Sequence, residues 1–546
     1  MKRAIWLVVL SLISFLSFSE GKREMRGAWI ATVANIDWPT TKENKSEIQK
    51  QELVLLLDSL CHQGINTVIF QCRPTGDALY KSDIEPWSEW LTGKQGERPK
   101  NGFDPLQTVV EEAHKREMEV HAWINPYRVT NNEKSVLAKD HLYYRKPELF
   151  VQYGGKIYFN PGLKETEEHL LKVLKDIVVR YDVDALHLDD YFYPYPVNGK
   201  DFPDNETFEA NPRGFKNKGD WRRDNVNQTV KRIHEMLQAT KPWMQFGISP
   251  FGVWRNASKD KRGSKTTAGI TNYDDLYADV LLWAKEGWID YIAPQLYWEI
   301  GKKAADYAVV ARWWRENIPT SCQLYFGLYA SGLEVNQPRA WKTPNELVRQ
   351  LRFNDKESIN IDGLLFYSTH YFLRNPQGLL DSLRNDFFQC PSIPPVMKNA
   401  PEAFSPINLK MVGDTLKWDK VVADDGDVIS YYLVYAYPEE VDCDFESVDG
   451  LVAKTTEPQY VFDRETLSYN DHYTITVTAV NRYRSESEPY EFVTYYKSDE
   501  EPSVTEDDGT TIKAVDEEQT VDKKTSKKNK RDKAKKERKK KRLRRI

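Results

Sequence analysis

The sequence has little of what marks several large enzyme classes. Its 546 residues include only five cysteines, Cys61, Cys72, Cys322, Cys390 and Cys443. They are odd in number and lack CxxC spacing, so they write neither a disulfide framework nor a zinc site. No GxGxxG turn follows the first strand-like segment, and there is no GxxxxGK[ST] loop and no GxSxG elbow. The signatures of dinucleotide enzymes, P-loop NTPases and serine hydrolases are therefore missing. No His/Asp/Glu spacing demands a metal, although Asp77, His187, Asp189 and Asp190 are residue types that hold one. No cofactor is implied. A net charge of -5 favours neither nucleic acid nor a membrane surface as partner of the whole chain.

Long apolar runs are also scarce. Lys2 and Arg3 precede an apolar stretch over 5–16, and Ser17-Phe18-Ser19 then offers small residues around a larger one. This pattern predicts a secretory signal over 1–19, cleaved before Glu20, and hence export to the periplasm or cell envelope. The run is shorter than the roughly 20 residues that span a bilayer, so no transmembrane span is expected in the mature chain. No cysteine follows it, which argues against a lipoprotein.

What the chain has in quantity is aromatic side chains, with 16 Trp and 30 Tyr. Such residues fill cores, and they also form the flat faces on which sugar rings stack. Eight strand-like runs, at 26–33, 66–73, 119–125, 185–192, 245–252, 291–298, 324–330 and 363–372, alternate with amphipathic stretches such as 47–63, 105–116, 166–180, 221–240, 273–286 and 345–354. Gly64, Asp104-Pro105 and Gly287 punctuate these stretches as helix ends do. Eight such units over 23–390 predict a (β/α)₈ TIM barrel; a doubly wound open sheet is the competitor. Pro391-Ser392-Ile393-Pro394-Pro395 reads as a stiff linker. Short alternating strands over 401–496 predict a small all-β sandwich. The segment 497–546, acidic first and basic from Lys523, is expected to be disordered. Its basic part is suited to touching anionic envelope polymers, or to being a solvated tail and nothing more.

Active-site side chains of a TIM barrel project from the C-terminal strand ends. These ends are unusually polar: Gln71-Cys72-Arg73, then Asp77 and Glu89; His121 through Asn125 to Tyr127-Arg128; His187-Leu188-Asp189-Asp190-Tyr191; Ser249 to Trp254; Gln295-Leu296-Tyr297-Trp298-Glu299; and Tyr367 to His370. Buried charges are costly unless paired or used. Glycoside hydrolysis needs two carboxyl groups across the scissile bond. Strand alternation places His187, Asp189 and Tyr191 on one face, so Asp189 is the first expected catalytic carboxylate, with Asp190 beside it to perturb its pKa. The fifth strand end carries no acid, which directs the search for a partner to Glu299, with Glu89 and Asp77 as rivals. Arg73, Asn125, Arg128, Gln295 and His370 are expected to bind polar groups of the substrate, with His121, Tyr127, His187 and Tyr191 around them. Trp254, Tyr297 and Trp298 are expected to stack on it.

Six motifs in order carry a family resemblance. They are Met25 to Val33, Arg73 to Tyr80, Trp87 to Gly93, His121 to Val129, His187 to Pro194 and Gly247 to Arg255. They resemble glycosyl-hydrolase-like family ten, a bacterial family of TIM-barrel envelope proteins, over about residues 23–388. The resemblance implies a polysaccharide substrate, and in at least one branch the glycan strands of peptidoglycan stripped of stem peptides. It also implies an Asp at the position of Asp189. The segment Tyr473 to Pro489 resembles the last strands of a fibronectin type III domain, a common companion of this family.

Overall fold

A computed structural model describes residues 22–335, 339–342, 345–422, 429–439, 441–462, 467 and 472–496. The expected signal (1–19) and tail (497–546) lie outside the described residues.

Eight parallel strands close into a barrel: β1 Met25–Ile30, β2 Thr67–Arg73, β3 Glu119–Ile124, β4 Ala185–Leu188, β5 Gln245–Ile248, β6 Tyr291–Ile292, β7 Gln323–Tyr329 and β8 Gly363–Tyr367. Each pairs with its sequence neighbour, and β1 closes the ring on β8 with Arg26 beside Leu364. All eight sequence-predicted strands are present, which excludes the open-sheet alternative. Several are shorter than expected. The run predicted over 291–298 is a strand only at Tyr291–Ile292, and the run over 185–192 stops at Leu188. In both, the polar strand-end residues belong to loops of the catalytic face.

The helices follow from amphipathic spacing and caps. Pro105–His114 begins with Asp104 accepting the Gln107 backbone N–H, and it buries Leu106, Val109, Val110 and Ala113. The helix expected over 273–286 is only Val280–Lys285, and Tyr307–Asn317 adds an outer helix with a buried Val310, Ala311 and Trp314 face. A hairpin, Phe150–Tyr153 with Lys156–Phe159, stands in the loop after β3.

Two apolar clusters build the barrel. One fills the layer between strands and helices, and a smaller one fills the interior with Met25, Trp29, Ile69, Trp123, Tyr291, Tyr325 and Leu365. Gly247 on β5 leaves room for Tyr291 to cross that interior: a Cβ there would stand 1.8 Å from the Tyr291 ring.

Beyond the barrel, two antiparallel sheets of three and four strands enclose a second core containing Leu416, Trp418, Val434, Ile475 and Val477. The Pro391–Pro395 segment is a docked strap, since Ile393 is buried and pairs its backbone with Lys22 and Glu24. Arg484 from the small sheets forms a bidentate pair with Glu119 at the N-terminal end of β3, so the all-β region packs on the bottom of the barrel.

Candidate active site

At the C-terminal ends of the strands lies a cleft of about 390 Å³. Larger hollows of about 650 and 740 Å³ exist elsewhere on the surface. This cleft is singled out by its position at the catalytic face and by what lines it: Asp189, Arg128, Tyr191, Gln295, Tyr297, Trp29, Gln71, Trp123, Ser249, Tyr329 and Tyr367. Among the described residues lining it, Asp189 is the sole carboxylate.

Asp189 is buried and follows immediately on β4. Its Oδ1 accepts the Asp190 backbone N–H at 2.8 Å and the Gln295 side-chain N–H at 3.0 Å. Gln295 also donates to the Ser249 carbonyl, which fixes its amide. Asp190 is buried alongside; its carboxylate accepts the Tyr195 hydroxyl and its side chain hydrogen-bonds Asp189. Burial pushes the Asp189 carboxyl up, opposed by the Asp190 N–H, by the Arg128 charge and by Gln295. Burial, then the neighbouring Asp189 charge, pushes Asp190 well above the usual carboxylate range. Two adjacent buried carboxyls of this kind titrate as a pair, which retains a proton at pH values where a free aspartate has lost it. Arg128, whose guanidinium is held on the Pro74 carbonyl, lies 4.5 Å from the Tyr191 ring centre and supplies the nearby positive charge. The opposite wall is aromatic: Tyr297 stacks between Tyr329 and Tyr367 at centroid distances of 5.0 and 5.9 Å.

Five expected contributors therefore meet in the cleft, namely Asp189, Arg128, Tyr191, Gln295 and Tyr297, with Asp190 directly behind. Others do not. Glu299 is absent from the lining. Its carboxylate accepts the Trp341 indole N–H at 2.9 Å and pairs with Lys302 at 3.3 Å. Burial opposes its ionisation, but its backbone N–H, Trp341 and Lys302 outweigh this and hold its pKa below the ordinary range. A carboxylate so paired, and absent from the lining, is not placed to act on a ligand of this cleft.

Arg73 is also displaced. The β2–β3 register skips Cys72, so Gln71 pairs with inward-facing Trp123 while Arg73 pairs with outward-facing Ile124. Fully buried, Arg73 binds Glu85 through two hydrogen bonds, and that cation, against burial, holds Glu85 down at about 2. Asp77, pushed up to about 6 by burial, is bonded to Thr75 and Gln95. Glu89 opens the short helix Glu89–Thr92 and does not reach the cleft. Asn125 braces the Pro74 carbonyl, Tyr127 bonds Thr229, and Trp254 is buried against Trp313. Trp298 packs on Phe251, and His370 is exposed with its backbone N–H on Asp37. His121 and His187 are fully buried inside the barrel, a layer below the substrate face. Among the described residues no three His, Cys, Asp or Glu side chains converge on a common metal position.

Sequence reasoning gave no role to Trp29, Gln71, Ser249, Tyr329 or Tyr367. Inward parity on β1, β2 and β7 was the available signal for Trp29, Gln71 and Tyr329. For Ser249 and Tyr367 it was their place at strand ends already known to be polar.

The family model described as glycosyl hydrolase-like 10 matches residues 24–343. The chain belongs to the glycosyl hydrolase-like 10 family. Within it, the chain is 41% identical over 486 residues to glycosyl hydrolase YngK of Bacillus subtilis (strain 168), covering 87% of this chain and 94% of that protein. It is 39% identical over 381 residues to glycosyl hydrolase DigH of Escherichia coli (strain K12), covering 66% and 85%. Among solved structures it is similar to the PgaB (BpsB) glycoside hydrolase domain from Bordetella bronchiseptica, at 13% identity and a TM-score of 0.40, over 66% of this chain and 98% of that one. Membership supports a glycosidase-type function and a carbohydrate ligand for the cleft.

Proposed function

We propose that the protein is an exported glycoside hydrolase that cleaves peptidoglycan glycan strands stripped of their stem peptides. The observation that carries the reading is the buried, hydrogen-bonded Asp189–Asp190 pair at the mouth of β4, in a cleft walled by stacked tyrosines. Asp189, the member that lines the cleft, protonates the leaving glycosidic oxygen, and Asp190 holds the proton reserve behind it.

Since Glu299 does not line the cleft, a carboxylate on the opposite face of the sugar is not what the lining residues support. In strands made of N-acetylated amino sugars, the acetamido oxygen of the substrate itself can attack the anomeric carbon as the leaving oxygen takes the proton. Water then opens the cyclic intermediate, with Asp189 taking a proton back. Arg128 and Gln295 flank this event and Tyr297 carries the ring. The small all-β region, read as fibronectin type III-like, and the segment 1–19, read as an export signal, complete the proposal for an envelope enzyme.

The test is a digestion panel of stripped strands, intact peptidoglycan, chitin oligosaccharides and unrelated plant polysaccharides, with products read by mass spectrometry. Fragments from stripped strands with the anomeric configuration retained are expected. Products from another polysaccharide alone would move the substrate, and no products from any would leave a carbohydrate-binding protein.

A further inference from the structure

Beneath the cleft, five polar side chains form a continuous hydrogen-bonded chain through the barrel. Ser249 Oγ lies 2.8 Å from His187 Nε2, and His187 Nδ1 lies 2.8 Å from the Tyr291 hydroxyl. The same hydroxyl lies 2.8 Å from His121 Nδ1, and His121 Nε2 lies 3.4 Å from a Glu119 oxygen. All four groups above Glu119 are at most 1% exposed.

The direction of this chain is determined by its ends. At the top, the Trp29 indole N–H, which can only donate, points at His187 Nε2 from 3.3 Å. That nitrogen is therefore an acceptor; at 2.8 Å the Ser249 hydroxyl approaches it as a donor, and the two donors share its lone pair. At the bottom, the Glu119 carboxylate, ionised against its burial by Arg484, can only accept, so His121 Nε2 carries the proton there. Between these ends each neutral imidazole has one donor and one acceptor. His187 Nδ1–H donates to Tyr291, and the Tyr291 hydroxyl donates to His121 Nδ1. Read from either end the assignment is the same. Burial pushes His187 well down and also lowers His121, in keeping with two neutral rings. A base held so low does not deprotonate Ser249, so the chain orients the hydroxyl and does not activate it as a nucleophile.

Ser249 lines the cleft, and its single proton is spent inward. Gln71 is its counterpart: its Oε1 accepts the Thr32 and Val33 backbone N–H groups, and its buried Nε2 has no partner. We infer that the cleft floor reads hydrogen-bond polarity, with Ser249 Oγ an obligate acceptor set by the chain Ser249→His187→Tyr291→His121→Glu119 and Gln71 Nε2 an obligate donor. The group they recognise presents both a donor and an acceptor, as a hydroxyl or a secondary amide of a sugar does. Ser249 and Gln71 are thus substrate-positioning residues, and the all-β region, through Arg484, anchors the far end of the device. The kinetic part rests on the hydrolase reading above; the direction of the chain does not.

Two measurements test it on the full chain. Nitrogen-15 spectra of histidine-labelled protein should show His187 as the Nδ1–H form and His121 as the Nε2–H form, both neutral. Their signals are assigned from His187→Asn and His121→Asn, or from the shift of the His187 signal in Ser249→Ala should those variants not fold. An Nε2–H or charged His187 overturns the inference whatever the substrate. On stripped glycan strands, Ser249→Ala should raise KM by about 3- to 10-fold, the range of one lost hydrogen bond, with kcat changed less than about twofold. Tyr291→Phe, which opens the chain away from the cleft, should move KM in the same direction by a smaller factor. Gln71→Glu should lower kcat/KM by more than about 10-fold. An active wild type with KM unchanged in Ser249→Ala and Gln71→Glu overturns the inference while sparing the hydrolase. A wild type inert on the strands sinks the hydrolase reading and leaves the spectra to judge the chain.

Discussion

Replacing Asp189 by Asn is expected to stabilise the fold at neutral pH while removing activity. The substitution keeps Oδ1 as an acceptor for the Asp190 N–H and the Gln295 amide, and the new amide nitrogen donates to Asp190. What disappears is one of two buried carboxyls. Fully ionised at about 4 Å in an effective dielectric of about 20, the two charges would repel by about 4 kcal/mol. The pair lowers that by retaining a proton, so the recoverable part is on the order of 1–3 kcal/mol at pH 7. Both carboxyls are raised above their unfolded values. Below the unfolded pKa of about 3.9, folded and unfolded chains are equally protonated and the pair costs nothing. As pH rises, the unfolded chain releases protons that the folded pair keeps, and wild-type stability falls by about 1.4 kcal/mol for each unit of delay. Urea unfolding at pH 4, 5.5 and 7 should therefore show an advantage of Asp189→Asn that opens with pH. A variant no more stable than wild type at pH 7, or an offset that does not change with pH, refutes the reasoning.

Glu299→Gln should leave kcat on stripped strands within about threefold of wild type, since its carboxylate is occupied by Trp341 and Lys302; steady-state kinetics check this, and a loss of two orders of magnitude would return Glu299 to the chemistry. Arg73→Met leaves the buried Glu85 carboxylate with His169 as its remaining partner and should cost about 3–5 kcal/mol in urea unfolding at pH 7. Because Glu85 is held down at about 2, that pair's contribution is present above the unfolded pKa of about 4.3 and is lost as pH falls toward about 2, so the deficit of the variant should shrink in acid. Tyr297→Ala removes the middle ring of the stacked wall; a rise in KM of about 5- to 10-fold with a smaller change in kcat is expected from the same kinetics.

The barrel was legible because periodicity and caps recur eight times, and no single ambiguous segment decides the count. Asp189 was legible because an acidic strand end in a TIM barrel has few structural uses. The errors have local physical causes. Arg73 was expected at the substrate because it ends a strand, but the register skip at Cys72 turns it out to Glu85 and leaves Gln71 as the inward residue. Parity also put His187 on the face of Asp189, where it does point into the barrel, yet one layer too deep to reach the cleft. Nothing in the sequence near Glu299 announces Trp341, 42 residues on, which takes its carboxylate. Ser249 was visible only as a residue beside a missing acid. Its role depends on His187 and Tyr291 from the two neighbouring strands, a juxtaposition that only the folded barrel supplies.

The central claim is that Asp189, proton-coupled to Asp190, cleaves glycosidic bonds of stripped glycan strands. Its most direct test is the release of new reducing ends from such strands by the wild type and by Asp189→Asn, both confirmed folded. The account predicts steady release by the wild type and a loss of about 10³-fold or more in the variant. Equal release by the two proteins would contradict it.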